Sequence, residues 1–351
     1  MVINPKVVSI GSALPASFYT QEQVWDALGY QYPHFKKLFT GSEISKRHFW
    51  VKPSSIKEMS WQDLQEEYLQ GAIELSTQAV HSCLDGRKPR DIGCVVFVSC
   101  TGYQCPGIAH RIAESIGFNE STYYTNILGM GCEGGFPGLR RAYDYTLTSG
   151  KSSLVITTEL SSCTFFPEVD GIPDPENGYE VLRANAIFGD ASVAVLVDYD
   201  NDPRHPHIVD FESYCNSSYL SELGYIWRDG RLRVLLSNKV PELVPTVVYP
   251  ACINLLLRNG LSIPKIQWFV VHAAGARVLD NIRDTLYIPE EKMNLSRDVL
   301  RTYGNCSSTT IGLIGKRLME EDVKAGDRVL VLSVGPGMVG GATLLRFGNL
   351  E

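Results

Sequence analysis

Cys132, His272 and Asn305 each stand where an apolar run breaks into glycines or small polar residues. A thiol, an imidazole and a carboxamide at such element ends are the set that nucleophilic thiol chemistry uses. Cys132 lies between Asn126 and Gly135, where a strand-like run reaches Gly129 and Gly131, and a helical pattern runs from Phe136 to Leu147. The sulfur is thereby predicted on a sharp strand-to-helix turn with small neighbours, so that a substrate can approach the backbone. A helix N-terminus there biases the thiol toward thiolate. His272 ends the buried-type strand Trp268 to Val271 and leads through Ala273, Ala274 and Gly275 into a helix. Asn305 follows Tyr303-Gly304 and precedes Cys306 to Thr310, ahead of the helical spacing of Ile311, Leu313, Ile314 and Leu318. Taken singly, the three read as a buried cysteine, a hydrogen-bonded core histidine and a turn residue; taken together they read as catalytic.

The elements that must position them are strands alternating with helices. Cys94–Val98, Leu154–Thr157, Ser192–Val197, Phe269–Val271, Val329–Leu332 and Gly341–Leu345 read as strands. Leu64–His81, Val244–Arg258 and Ala276–Leu286 read as helices. Continuous apolar strands of this kind belong to sheets covered on both faces. The pattern occurs twice, which predicts two similar halves, 1–200 carrying the cysteine and 201–351 carrying the histidine and asparagine, divided at the polar stretch Asp198–His207. Asp170–Tyr179, rich in Pro, Asn and Gly, reads as a surface loop.

Composition sets bounds. The chain has 351 residues, 44% hydrophobic, enough for a large core. A net charge of −7 excludes a general nucleic-acid binder. Nine cysteines without a disulfide-type framework point to a reducing compartment. His205-Pro206-His207 lacks convergent partners for a metal. No long apolar leader and no 18-residue apolar run are evident, so a cytoplasmic protein without a membrane partner is expected.

The chain resembles the type III polyketide synthases, the chalcone synthase family, within the thiolase-like condensing enzymes. The resemblance rests on Pro289 to Leu300 leading into Tyr303-Gly304-Asn305, on Phe188-Gly189-Asp190, on Gly335-Pro336-Gly337, and on Cys100-Thr101-Gly102 followed by Pro106-Gly107. It runs from about Val7 to Phe347. It implies a five-layered αβαβα thiolase-like fold, a homodimer, and CoA or acyl-carrier-protein thioesters as substrates with no cofactor. It also implies a gatekeeper at Phe188, a second gatekeeper position at the smaller Val234, and cavity positions at Ser161, Thr164, Cys100 and Ser307. Cys105 falls where the family crosses its dimer interface.

Residue types make the implied chemistry explicit. Claisen condensation of thioesters needs a nucleophile for the acyl chain, a carbanion, and donors for two oxyanions. Cys132 is the nucleophile, with His272 as the partner that keeps it deprotonated. Decarboxylation of a malonyl-type extender supplies the carbanion, and the neutral Asn305 amide donates to the enolate oxygen. The turn at Cys132 and the loop through Gly335 and Gly337 offer backbone N–H groups. The departures from the family are His272-Ala273-Ala274-Gly275-Ala276 beside the histidine, an acidic Glu133 after the nucleophile, and a weakened basic triad for CoA at His34, Lys37 and Gly41. Lys36, Lys46 and Arg47 are candidates to compensate, giving Lys37, Lys46 and Arg47 as the expected entrance for CoA or a carrier. Within the family, the stand-alone ketosynthases that join two carrier-bound β-ketoacyl chains into an α-pyrone are the relatives of interest. The alternatives are a β-ketoacyl carrier-protein synthase III, a degenerate partner subunit and a simple acyl-binding module.

Overall fold

The computed structural model describes residues 4–165, 178–228 and 230–348. Its strands are β1 (Lys6–Ala13), β2 (Phe18–Thr20), β3 (Lys46–His48), β4 (Ile92–Val98), β5 (Tyr123–Ile127), β6 (Ser152–Glu159), β7 (Ala191–Asp198), β8 (His207–Cys215), β9 (Leu223–Arg228), β10 (Arg231–Leu236), β11 (Trp268–Val271), β12 (Arg328–Gly335) and β13 (Val339–Arg346). Its helices are α1 (Gln21–Leu28), α2 (Lys36–Thr40), α3 (Trp61–Leu84), α4 (Ile108–Arg111), α5 (Ala113–Ile116), α6 (Gly135–Ser149), α7 (Gly178–Ile187), α8 (Val240–Arg258), α9 (Ala276–Leu286), α10 (Asn294–Tyr303) and α11 (Thr310–Leu318). Each strand and helix expected from the sequence lies within one of these elements. The loop expected at Asp170–Tyr179 lies, up to residue 177, outside the described residues.

The strand order is β11-β12-β13-β8-β1-β7-β6-β4-β5. Its two halves repeat one plan. In the first, β1 pairs antiparallel with β7, β7 antiparallel with β6, and β6 parallel with β4. In the second, β8 pairs antiparallel with β13, β13 antiparallel with β12, and β12 parallel with β11. A single register pair, Lys6 with His207, joins them.

Both faces of each half are covered, which is why β4 is buried at every position and reads as an unbroken apolar run. Helix α3 starts in a capping box between Ser60 and Asp63 and packs on β1, β6 and β7. In the second half α8 lies on β8, β12 and β13, and α9 lies on α8. Helices α6 and α11 form the middle layer: α6 touches β4, β6, β7 and β13, and α11 touches β1, β7 and β11. Among the described residues α8 alone is long and apolar enough to cross a membrane by length and composition. The sequence expectation of no such run passed over it because Glu242, Pro245 and Pro250 interrupt the pattern.

Candidate active site

The nucleophile candidate is held by a turn that only small residues allow. After β5 the chain bends through Gly129 and Met130 into a short 3₁₀ turn, Gly131–Glu133, that runs into α6. Gly131 has φ of 52° and lies against Pro336, where an added Cβ would come within 2.6 Å of the ring. A side chain there would clash and strain the backbone. Gly335 packs equally closely on the backbone of Met130 and Glu133. The Gly335-Pro336-Gly337 loop is therefore the wall that fixes Cys132 in place.

Cys132, His272 and Asn305 line one cavity of about 250 Å³, with Phe188, Val334 and a mostly apolar wall from α7, α8 and the start of α9. His272 leaves the end of β11, where its N–H donates to the Leu332 carbonyl at 2.9 Å; neither ring nitrogen has a hydrogen-bond partner among the described residues. Asn305 is clamped by backbone. Its N–H donates to the Ile187 carbonyl at 2.9 Å, and the Gly189 N–H donates to the Asn305 carbonyl at 3.0 Å, a bridge that sets Phe188 beside it. Its Oδ1 accepts the Ser307 N–H at 2.8 Å, leaving Nδ2 directed to the cavity side, with a long contact of 3.4 Å to the Ala274 carbonyl. The side chains of Asn305 and Ser307 lie close enough to the Cys132 sulfur to pull its pKa down against burial.

A buried acid that the sequence reading missed organises the far side. Glu159, fully buried at the end of β6, accepts from the Cys100 N–H at 3.0 Å, the Thr101 hydroxyl at 3.1 Å and the Ser308 hydroxyl at 2.5 Å. The Cys100 thiol and the Ser307 hydroxyl are each 3.4 Å from it and 3.4 Å from one another. The Ser307 hydroxyl thus stands between Glu159 and Cys132. Burial raises the Glu159 pKa. The available signal was an acid closing an otherwise apolar strand, a place where an unpaired carboxylate would be costly.

Burial governs the charges. It pushes the Cys132 thiol up to about 12 and the His272 imidazole down to about 4. At neutral pH both groups are therefore neutral, and an ion pair between them would have to offset this desolvation. Glu133 points inward but away from the cavity, beneath β12 and β13 beside Ser333, Gly341 and Phe136. It is 1% exposed, neither oxygen has a hydrogen-bond partner among the described residues, and its carboxyl is pushed up to about 8 by burial. At neutral pH it is uncharged, which removes the repulsion that an acid next to the nucleophile would exert on a thiolate.

The remaining expected residues separate into two groups. Ser161, Thr164 and Val234 are buried and do not line the open cavity. Tyr225, another residue missed, stands among them: its hydroxyl pairs with Thr164 and lies within electrostatic reach of Cys100 and Cys132. Cys105 is exposed. The entrance expectation needs correction. Arg47 is 0% exposed and cannot meet a ligand at the surface. Lys46 sits 4.7 Å over the Phe18 ring and Lys36 pairs with Glu22 at 3.6 Å. Leu38, Gly41 and Ser42, next to the exposed Lys37, line the cavity, as do the cations Arg183 and Arg277, and these are the candidates for its mouth. Arg277 is ion-paired with Glu242. Among the described residues no three His, Cys, Asp or Glu side chains converge as a metal site, and His205 pairs with Asp200 at 3.1 Å.

Residues 4–202 match the model of the N-terminal domain of chalcone and stilbene synthases, and residues 256–347 match the C-terminal model of 3-oxoacyl-[acyl-carrier-protein] synthase III. A 3,5-dihydroxyphenylacetyl-CoA synthase from Amycolatopsis balhimycina is 27% identical, covering 95% of this chain and 90% of that protein. The fold is that of solved relatives. PKS-I from the brown alga Ectocarpus siliculosus superposes with a TM-score of 0.88 at 20% identity, covering 99% of each chain. The 1,3,6,8-tetrahydroxynaphthalene synthase of Streptomyces coelicolor, a bacterial type III polyketide synthase, superposes with 0.87 at 22% identity, over 98% of this chain and 100% of that one.

Proposed function

The chain belongs to the chalcone and stilbene synthase family, the type III polyketide synthases, and we propose that Cys132, His272 and Asn305 are the residues with which it works. It is an acyltransferase that makes carbon–carbon bonds by Claisen condensation in polyketide biosynthesis. The observation that carries the residue assignment is the convergence of thiol, imidazole and carboxamide on one largely apolar cavity.

In this reading His272 takes the thiol proton and Cys132 attacks the acyl thioester, releasing the carrier thiol. A malonyl-type thioester then loses CO₂, and its enolate oxygen accepts a hydrogen bond from Asn305 Nδ2. The enolate carbon attacks the Cys132-bound carbonyl, the new carbon–carbon bond forms, and the Cys132 sulfur leaves. Phe188, held beside Asn305, closes the path from the mouth. Tyr225, Thr164, Ser161 and Cys100 fill the space beyond the sulfur, which favours few condensations and a short, pyrone-type product. Nothing in these steps calls on a cofactor beyond the thioesters themselves.

A second reading concerns the acyl donor. The match of 256–347 to a carrier-protein synthase model, together with the thin basic triad at the mouth, supports carrier-bound thioesters beside CoA thioesters. A homodimer through the β5 edge fits as well: β5 ends the sheet with unpaired backbone groups, and Tyr123 and Leu128 are exposed there. The test of the assignment is turnover of an acyl-CoA and malonyl-CoA pair by the wild type and by Cys132→Ala, His272→Ala and Asn305→Ala. All three variants should lose condensation while keeping the fold, and full activity in any one of them would remove that residue from the set.

A further inference from the structure

Helix α7 ends at Ile187; of its last-turn carbonyls, Ala184 accepts the Phe188 N–H at 3.1 Å and Ile187 accepts the Asn305 N–H, whereas those of Asn185 and Ala186 have no backbone N–H to accept from among the described residues. They are buried, so each needs a donor from elsewhere. Arg47 and Gln21 supply them. The Arg47 Nη1 donates to the Asn185 carbonyl at 2.8 Å and to the Phe188 carbonyl at 2.6 Å, and its Nε donates to Gln21 Oε1 at 2.9 Å. The Gln21 amide nitrogen donates to the Ala186 carbonyl at 2.7 Å and to Ser42 Oγ at 2.8 Å. A cation at a helix C-terminus is also favoured by the helix dipole.

The stem of Arg47 is used as well. Gly304, with φ of 71°, lies so close that an added Cβ would be 2.8 Å from Arg47 Cδ, and Gly189 would place one 3.5 Å from Arg47 Cβ. These glycines flank the bridge in which Phe188 and Asn305 meet. One buried side chain therefore touches both backbones of the bridge and caps the helix that leads into it. Burial pushes the guanidinium down to about 9, and Asp190, fixed by the Trp50 N–H at 2.7 Å and the Ser162 hydroxyl at 2.5 Å, is the charge that offsets this.

We propose that Arg47, through Gln21, is a positioning residue that holds Asn305 and Phe188 in register for the condensation step. The inference rests on the proposed role of Asn305. A lysine would keep the charge and lose the fork that reaches two carbonyls and Gln21 at once. Displacing an oxyanion donor by a fraction of an ångström affects the step that uses it more than the steps that do not.

The experiment compares wild type, Arg47→Lys, Gln21→Leu and Asn305→Ala by three readouts: single-turnover acylation of Cys132 by an acyl-CoA, condensation with malonyl-CoA, and backbone hydrogen exchange. Arg47→Lys should slow condensation about tenfold or more and acylation by less than about threefold. Exchange should rise in segments 185–190 and 303–309 and stay unchanged elsewhere. Gln21→Leu should show the same pattern more weakly, and it carries the test if Arg47→Lys does not fold. Parallel loss of both steps with exchange raised throughout, or unchanged exchange in both segments, overturns the inference. If Arg47→Lys is neutral while Asn305→Ala blocks condensation, the positioning role alone falls. If Asn305→Ala condenses normally, the assignment of Asn305 falls, and the exchange data still decide whether Arg47 holds the bridge.

Discussion

Tyr225 on β9 and Val234 on β10 stand directly opposite one another, so a small side chain at one position is matched by a large one across the hairpin. Directly opposed residues share a face, and here that face looks toward Thr164, Cys100 and Cys132. In the proposed function this pair bounds the space beyond the sulfur.

Tyr225→Ala should therefore open that space and lengthen the product. Removing a large, half-buried ring costs about 2 kcal/mol of stability, so the melting temperature should drop while condensation continues. Product masses from malonyl-CoA should shift to chains with more extender units. An unchanged product distribution in a folded variant would show that Tyr225 does not bound the growing chain.

Glu133 gives a pH signature whose sign follows from its burial. Its carboxyl stays protonated in the folded chain until about pH 8, against 4.5 for the ordinary group. Between those values the unfolded chain has lost the proton that the folded chain keeps, so stability falls as pH rises through this window and is level above it. The loss is on the order of 5 kcal/mol. Glu133→Gln keeps shape and neutrality and should match wild type near pH 4, then gain stability relative to it up to pH 8. Denaturant unfolding at several pH values measures this, and parallel curves for the two proteins would contradict it.

The positions of strands, helices and the three catalytic candidates were legible because each depends on local pattern: apolar runs for strands covered on both faces, and glycines where the Cys132 turn meets Pro336. Tyr225 was legible in principle, since Asp229-Gly230 is a two-residue hairpin signal and the turn alone sets Tyr225 opposite Val234. Arg47 was misplaced because a basic residue near other basic residues reads as a surface patch. Its partners are the carbonyls of Asn185 and Phe188, about 140 positions away in sequence. Glu159 was missed for the same reason: its donors come from Cys100, Thr101 and Ser308 on separate elements.

His272 and Asn305 should separate kinetically. Asn305→Ala loses a single oxyanion donor, worth about 3 kcal/mol in the condensation step. His272→Ala should slow acylation as well, because the buried thiol loses the group that takes its proton. Rapid-quench measurement of the two steps distinguishes them; equal effects of both substitutions on acylation would contradict the division of roles.

Arg277 and Lys37 are the cations expected to meet the phosphate of a pantetheine thioester at the mouth. Arg277→Ala should raise KM for CoA thioesters several-fold and leave kcat within about twofold. Carrier-bound acyl groups should be used with higher kcat/KM than the CoA forms, with an advantage that shrinks as salt rises. Equal or better use of CoA thioesters at low salt would leave the carrier without a role.

The most direct test is intact-protein and peptide mass spectrometry after brief incubation with an acyl-CoA. The wild type should gain one acyl group, located on the peptide carrying Cys132, and Cys132→Ala should gain none and form no product. Acylation at Cys100, Cys163 or Cys306, or product formation by Cys132→Ala, would contradict the assignment of Cys132 as the residue that carries the chain.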